Sequence, residues 1–204
     1  MDIPDTYKTI RSASQGVFRD RGSRFIAIAT PVRSQDEVKL LLDECRKNYH
    51  DARHHCYAWM IGYEKDLWRS NDDGEPSGTA GKPILGQIKS NDLTNILIVV
   101  IRYFGGTLLG TSGLINAYRS ASAEAIKNAE ITECLVNSYF RLKFPYSSMN
   151  EVMKIIKDED LLQSEHLFDL TCSMKAGCRL SRTEQVLKRF SAIDNLVFEF
   201  LETR

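Results

Sequence analysis

Four glycines lie between a short apolar run and a helical pattern, in the segment from Asn95 to Ala129. Residues 96–101 are apolar and mostly β-branched, which predicts a central strand covered on both faces. Apolar residues then recur at helical spacing from Gly113 onward, so the glycine-rich turn opens a helix. The start of a helix offers unpaired N–H groups and a partial positive charge, which suit phosphate or another anion. Thr111 or Ser112 is expected to cap this helix.

The predicted ligand or phosphate site combines this turn with cationic and aromatic side chains. Its residues are Arg24, Lys82, Arg102, Tyr103, Phe104, Gly105, Gly106, Gly110, Ser112 and Gly113. Arg102 is expected to contact phosphate while Tyr103 or Phe104 stacks on a base. The alternatives are a purely structural turn and aromatic rings that belong to the core. The segment lacks GxGxxG, and Pro83 follows Gly81-Lys82 where a P-loop needs Ser or Thr, which argues against both common nucleotide motifs.

A second chemically dense segment, NDDGEPSGTAGKP, runs from Asn71 to Pro83. Its candidate acidic-site residues are Asp72, Asp73, Glu75, Ser77 and Thr79. Converging carboxylates could hold magnesium or calcium. We favour a structural role, in which Asp72 and Asp73 accept hydrogen bonds from loop N–H groups. We therefore assign no metal, no cofactor and no catalytic residue to this segment.

Two adjacent histidines, His54 and His55, open a predicted strand at residues 54–61. Neighbouring residues of a strand point to opposite faces, so the two rings cannot share one metal without a bulge. Hydrogen-bonded, partly buried histidines are the preferred interpretation.

The overall composition describes a folded chain without a strong charge. The 204 residues are 43% hydrophobic and 26% charged, and their formal net charge is zero. This is typical of a globular protein and argues against a non-specific nucleic-acid binder with a large basic face. The five cysteines are odd in number and form no CxxC pair, and the amino terminus has no signal-peptide pattern. These features predict a cytoplasmic protein.

The patterning along the chain predicts an α+β protein of two domains, with a boundary between residues 1–134 and 135–204. A hairpin turn at residues 20–22 joins two strands, and residues 36–49 form an amphipathic helix. Residues 84–90 are expected to form a short helix packed under the central strand. The second domain reads as βαββαβ, the ferredoxin-like arrangement, with two of its strands separated near residues 175–177.

Four ordered motifs resemble the IMPACT/YigZ family over roughly residues 10–130. They are RGSRFIA from Arg21, HHCYAW from His54, NDDGEPSGTAGKPIL from Asn71 and VVIRYFGGTLLGTSGLINAY from Val99. The resemblance implies a first domain similar to domain IV of elongation factor G, a βαβ-type α/β sandwich like domain 2 of ribosomal protein S5. It implies a second domain similar to the ferredoxin-like domain V of that factor.

The resemblance also carries functional expectations. It implies translation regulation through binding of RNA or the ribosome, with no membrane partner. Eukaryotic members carry an extra amino-terminal domain that binds a regulator of a translation-controlling kinase, and that partner is not expected here. Many members have a lysine, a glycine and an arginine where this chain has Leu108, Ser112 and Asn116. Phosphate binding should therefore depend more on backbone N–H groups, with Arg119 as a further cationic candidate.

Two classes of function remain open from the sequence. The first is a non-enzymatic RNA- or ribosome-binding module that uses the glycine turn and the acidic loop as one surface. The second is a small-molecule enzyme that binds a phosphorylated ligand at the turn, with Asp72, Asp73 or Glu75 holding magnesium or acting as a base. A protein-binding regulator is a third alternative. A deep pocket would favour the enzyme, and an open groove with exposed aromatics would favour nucleic acid.

Overall fold

A computed structural model describes residues 5–204, which divide into two units of mixed α and β structure. The first unit comprises Tyr7–Cys134, and the second comprises Leu135–Arg204 together with residues 5 and 6. The α+β class predicted from the sequence is confirmed.

The first unit is built on a five-stranded antiparallel sheet. Its elements are β1 (Thr6–Ile10), β2 (Ser14–Asp20), β3 (Ser23–Pro31), α1 (Gln35–Asn48), β4 (His54–Ile61), β5 (Leu67–Asn71), α2 (Gly81–Ser90), β6 (Ile96–Tyr103), α3 (Gly110–Lys127) and β7 (Ile131–Leu135). The sheet has the strand order β2-β3-β6-β4-β5, while β1 and β7 pair separately. The apolar run of β6 therefore lies in the middle of the sheet, as its pattern predicts.

Alternate residues of β6 face two different helical layers. Ile96, Ile98 and Val100 pack in a core with α2 and α3. Leu97 and Val99 pack in a second core with α1. Because side chains alternate along a strand, the last residues of β6 must also diverge onto the two faces. This alternation decides where the functional side chains at the end of the strand lie.

The hairpin between β2 and β3 closes on residues that adopt left-handed backbone conformations. Arg21 has φ of 44° and Gly22 has φ of 80°. Two consecutive positive φ values match the twist of the flanking strands, which is why such turns favour glycine. The predicted hairpin is confirmed, and its tip lies against Gly105 of the glycine-rich turn.

The second unit has the chain order βαββαβ. Its elements are β8 (Asn137–Pro145), α4 (Met149–Asp158), β9 (Leu162–Leu167), β10 (Thr171–Arg179), α5 (Thr183–Phe190) and β11 (Val197–Thr203). The antiparallel sheet has the order β11-β8-β10-β9, and α4 and α5 share one core with one face of it. This is the split βαβ, ferredoxin-like arrangement.

One strand boundary in the second unit differs from the prediction. The pattern placed a break near residues 175–177, but β10 runs without interruption through them and pairs with β8. The break lies instead between Leu167 and Thr171. Gly177 is required by packing, because a Cβ there would lie 2.7 Å from the ring of Tyr139. The glycine makes room for an aromatic ring and does not end the strand.

None of the helices within residues 5–204 has the combined length and apolar character that a membrane span needs.

Candidate functional site

A cavity of about 400 Å³ lies where β6 ends and α3 begins. Residues from the acidic loop and from the glycine-rich turn line it together. The lining consists of Arg53, His54, Gly74, Glu75, Pro76, Arg102, Phe104, Leu108, Leu109, Gly110, Thr111 and Leu114. The structure therefore brings together the two segments that the sequence identifies as chemically dense.

A buried ion pair forms one wall of this cavity. Arg102 Nη1 donates to Glu75 Oε1 at 2.5 Å, and the two side chains are only 7% and 4% exposed. The Tyr118 hydroxyl donates to the same carboxylate oxygen at 2.8 Å. Arg102 lies on the face of β6 that packs against α3, opposite Phe25 in β3 and His54 in β4. Glu75 thus enters the interior because an arginine and a tyrosine both satisfy its charge.

Cys56 extends this buried network away from the cavity. Its Sγ lies 3.2 Å from the Tyr118 hydroxyl and 3.0 Å from the carbonyl of Asp72. Burial raises the pKa of the Cys56 thiol and of the Tyr118 hydroxyl well above their ordinary values. Both groups therefore stay protonated at neutral pH and act as hydrogen-bond donors, not as nucleophiles or bases.

The expected phosphate contact of Arg102 stays a prediction, and the geometry places the residue in the cavity wall instead of on an open surface. The residue is 6% exposed, and its charge is balanced by Glu75. The burial and the ion pair leave little of the guanidinium available to an extended nucleic-acid backbone. Its place in a site is that of a wall of the cavity.

Asp72 and Asp73 hold the acidic loop in shape. Asp72 accepts hydrogen bonds from the backbone N–H groups of Gly78, Ala80 and Gly81 at 2.8 to 3.0 Å. Asp73 Oδ2 accepts from the backbone N–H of His55 at 2.6 Å. These contacts match the structural role favoured from the sequence.

The other predicted residues of the loop have separate positions. The Thr79 hydroxyl donates to the carbonyl of Pro76 at 2.7 Å, and Ser77 is exposed. Because Glu75 points toward Arg102 while Asp72 and Asp73 bond to backbone, the three carboxylates do not converge. Across residues 5–204, no group of three or more His, Cys, Asp or Glu side chains has an arrangement that could hold a metal ion.

Asp72 leads to a pH-dependent prediction. Burial raises the pKa of its carboxyl, but the hydrogen bonds from Gly78, Gly81 and Ala80 outweigh this, so the pKa lies below 3.8. A carboxyl with a lowered folded-state pKa stabilises the fold above its unfolded pKa and loses this contribution as pH falls through the folded value. We expect Asp72→Asn to lower the free energy of unfolding at neutral pH by about 1–2 kcal/mol.

Urea denaturation at about pH 7 and about pH 3 checks this expectation, because the difference from the parent should shrink in acid. Asp66→Asn removes an exposed carboxylate and serves as the matched control. An equal loss for Asp72→Asn at both pH values would mean that the carboxylate charge does not stabilise the loop.

A groove of about 540 Å³ lies at the same end of the sheet and contains the hairpin tip. It is lined by Arg19, Asp20, Arg21, Gly22, Ser23, Arg24 and Tyr103. The guanidinium carbon of Arg24 lies 4.6 Å from the centroid of the Tyr103 ring. The Tyr103 hydroxyl donates to Asp51 Oδ1 at 2.8 Å, which fixes the ring. We call this surface the arginine groove.

Tyr103 and Phe104 belong to different surfaces. Tyr103 is partly buried against the core that includes α1 and faces the arginine groove. Phe104 is 47% exposed and faces the cavity, where its ring centroid is 5.7 Å from the Arg102 guanidinium carbon. The sequence predicts that one or the other ring stacks on a base at a single site, whereas in the structure the two residues line different surfaces.

The remaining predicted residues surround the glycine turn. Gly105 packs on the hairpin tip, whereas Gly106 has φ of 87° and open space around it. Gly110 begins α3, and Ser112 and Gly113 lie in its first turn. The expected cap by Thr111 or Ser112 is wrong, because Leu109 occupies the N-cap and no side chain bonds there. Two exposed cations lie on helices, Lys82 on α2 and Arg119 on α3, where Arg119 donates to Asn116 Oδ1.

Sequence reasoning missed four cationic or imidazole side chains of these two surfaces: Arg19, Arg21, Arg53 and His54. His54 was interpreted only as a hydrogen-bonded histidine, and its Nδ1 indeed lies 2.7 Å from the carbonyl of Asp73. The sequence did contain a signal for the hairpin residues. Turn residues are usually exposed, so the arginines near this turn, at positions 19, 21 and 24, are expected to form an exposed cationic surface.

Comparisons with known proteins identify the relatives of the chain. A sequence profile for the Impact N-terminal domain matches residues 21–126. The IMPACT family member YvyE of Bacillus subtilis is 31% identical over 160 residues, which cover 78% of this chain and 74% of that protein. An IMPACT family member of Thermus thermophilus is 39% identical over 161 residues, covering 78% and 82%. YigZ of Escherichia coli is 42% identical over 107 residues, covering 52% of each chain.

A solved structure shares the fold. The crystal structure of a hypothetical protein aligns with a TM-score of 0.75 and 24% sequence identity, covering 98% of this chain and 99% of that chain. The profile match runs from the hairpin turn through the acidic loop and β6 to nearly the end of α3. It contains the residues that line the cavity and those that line the arginine groove except Arg19 and Asp20. The chain is therefore a member of the IMPACT family, as its motifs predict.

Proposed function

We propose that this chain is a non-enzymatic module that binds single-stranded RNA, including exposed ribosomal RNA, in the arginine groove. The observation that carries the proposal is the stacking of Arg24 on Tyr103 in a groove that Arg19 and Arg21 also line. Proteins that hold single-stranded nucleic acid combine cationic side chains along the backbone with aromatic rings that stack on bases. The arginine groove has both components within one surface.

The groove geometry suits a flexible strand better than a small ligand. Arg19, Arg21 and Arg24 are exposed, so their guanidinium groups can pair with phosphates without loss of buried contacts. Tyr103 is held by its hydrogen bond to Asp51, which limits the entropy lost when a base stacks on it. Asp20 also lines the groove and reduces its charge. We therefore expect moderate, salt-dependent affinity.

The non-enzymatic part of the proposal rests on how the carboxylates are used. Phosphoryl transfer needs carboxylates that bind magnesium and position a nucleophile. Here Asp72 caps loop N–H groups, Asp73 accepts from the backbone of β4, and Glu75 is paired with Arg102. Each group already has a structural partner, which favours binding over acid–base chemistry.

The family resemblance is the basis for proposing a role at the ribosome and in translation regulation. In this proposal, residues 1–134 form an RNA-binding domain similar to domain IV of elongation factor G. Residues 135–204 form a domain similar to domain V of the same factor, and the protein acts in the cytoplasm. Fold analogy supports this assignment by association, so the RNA measurement comes first.

The test is RNA binding across a salt series, with variants of the arginine groove. The parent should bind a single-stranded oligonucleotide with a logarithmic salt slope that Arg24→Ala reduces by about 0.7, the value for one single-strand phosphate contact. Tyr103→Leu should weaken binding roughly tenfold and leave the slope unchanged, because stacking releases no counterions. Fluorescence anisotropy of a labelled oligonucleotide measures both quantities.

Lys127→Ala is the matched control for the loss of one cationic side chain. Lys127 is exposed in the last turn of α3, about 25 Å along the helix from its start. The proposal fails if the parent shows no binding at about 50 mM salt, since non-specific contacts are strongest there. It also fails if Lys127→Ala lowers the affinity as much as Arg24→Ala.

A further inference from the structure

The cavity between the acidic loop and the start of α3 has a cationic side and an apolar side. We infer that it is a binding site for a small organic phosphate of mononucleotide size, with the phosphate at Arg53, His54 and the first turn of α3. The cavity lies on the α3 face of the sheet, whereas the arginine groove contains Tyr103, which faces α1. The inference therefore does not depend on RNA binding in the groove.

Arg102 supplies the first indication of a ligand. It lines the cavity while 6% exposed, and Nη1 is bonded to Glu75. Its Nε is buried and has no hydrogen-bond partner among residues 5–204. Buried N–H groups without a partner are rare in native proteins and mark a strained or functional position. Because Arg102 lines the cavity, this position belongs to the wall that a ligand would contact.

The first turn of α3 supplies a second, independent set of donors. No side chain caps this 18-residue helix, and no acidic residue lies in its first turn. In contrast, Ser34 caps α1 by accepting from the N–H of Glu37, and Asp36 and Glu37 lie in that first turn. Gly110 and Thr111, the first two residues of α3, line the cavity. An anion bound there would receive the free N–H groups and the favourable end of the helix dipole.

The charges around the cavity favour an anion. Glu75 is neutralised by Arg102, so the pair adds little net field. Arg53 is exposed, and no ion-pair partner is found for it within residues 5–204. His54 Nδ1 faces the carbonyl of Asp73, so this nitrogen carries the ring hydrogen in the neutral form. The other ring nitrogen is not used by this contact and can accept from a ligand hydroxyl.

The apolar side of the cavity defines the rest of the ligand. Phe104 is 47% exposed and Leu108 is 82% exposed, and both lie beside the largely buried Leu109 and Leu114. Large apolar side chains exposed at the mouth of a cavity gain contact when a flat or apolar body covers them. A volume of about 400 Å³ falls within the range of small-molecule sites. A ligand that carries a phosphate and a planar base can place the phosphate on the cationic side of the cavity and the base on the apolar side.

The experiment compares three probes by titration calorimetry: adenosine 5′-monophosphate, adenosine and inorganic phosphate. The monophosphate should bind the parent with a stoichiometry of one and more tightly than either fragment. Arg53→Ala should weaken its binding roughly tenfold, the effect of one charge-assisted hydrogen bond. Arg53 is exposed, so this variant should fold, which Arg102→Ala does not guarantee.

A pair of opposite charges at Leu108 tests whether the bound ligand is an anion. Both substitutions remove the same apolar contact and differ in charge, so the monophosphate should bind Leu108→Lys roughly tenfold more tightly than Leu108→Glu. Leu40→Glu and Leu40→Lys are the matched controls, because Leu40 is 69% exposed on α1, across the sheet. Neither should change the affinity.

Three results would overturn the inference: no heat of binding for the monophosphate with folded parent, adenosine binding as tightly as the monophosphate, or equal effects at Leu108 and Leu40. Failure of the RNA proposal is separately visible, because Arg24→Ala and Tyr103→Leu alter the arginine groove without touching the cavity. If these two variants lose RNA binding but still bind the monophosphate, the inference about the cavity is retained.

Discussion

Replacing Arg102 with alanine is expected to lower the free energy of unfolding by about 3–5 kcal/mol. The substitution leaves the Glu75 carboxylate in the interior, where the Tyr118 hydroxyl is the one remaining donor among residues 5–204. The cost arises from the unpaired buried charge and exceeds what the lost hydrogen bond alone contributes. Guanidinium denaturation of the variant and the parent at neutral pH measures the difference.

Two further variants decide whether this cost is electrostatic. Arg11→Ala breaks an ion pair with Glu130 in which both side chains are more than half exposed, and it should change stability by less than about 1 kcal/mol. Combining Arg102→Met with Glu75→Gln removes both charges, and it should recover much of the stability lost in Arg102→Ala. If the double variant is as unstable as the single one, packing and not charge holds this part of the fold.

Much of the architecture follows from periodicity. The apolar run at 96–101, the glycines after it and the helical spacing beyond Gly113 predict β6 and α3 in their observed places. The order of helices and strands after residue 137 predicts the ferredoxin-like unit. These features succeed because they depend on residues close together in the chain, where the burial pattern and the backbone geometry agree.

The site was only partly predictable, because its decisive contacts join distant residues. The pairing of Arg102 with Glu75 spans 27 residues and depends on how the acidic loop folds back on β6. No pattern of neighbouring residues in the sequence predicts how this loop folds back. Strand alternation does imply that Arg102 shares a face with Val100, and that Tyr103 and Phe104 point apart. What the sequence could not tell was which face each helix would cover.

Glycines were the least reliable signal, since one residue type serves different physical needs. Gly177 permits an aromatic ring to lie on β10, although its type suggested a break. Gly106 allows a left-handed backbone, and Gly105 allows two segments of backbone to meet. Only the structure separates conformational freedom from close approach.

This distinction predicts very different effects for two neighbouring substitutions. A Cβ on Gly105 would lie 1.9 Å from the carbonyl carbon of Gly22 and 2.1 Å from the backbone nitrogen of Ser23. Backbone atoms cannot move aside as a flexible side chain can, so we expect Gly105→Ala to destabilise the fold by more than about 3 kcal/mol. Gly106→Ala meets no atom within 4 Å and should cost only about 1–2 kcal/mol for its left-handed φ.

The same pair of variants tests whether the contact between the hairpin tip and the glycine turn supports the arginine groove. Gly105 donates its N–H to Ser23 Oγ at 3.2 Å, and Gly22 and Ser23 line the arginine groove. The Gly105→Ala substitution should displace these residues, so the variant should bind RNA more weakly than the parent even under conditions where denaturation curves show that the variant is folded. The Gly106→Ala variant should bind RNA as tightly as the parent does. If the two variants have the same free energy of unfolding and the same RNA affinity, the hairpin tip can move away from the added methyl group at little cost. The groove would then lack the rigid geometry on which stacking at Tyr103 depends.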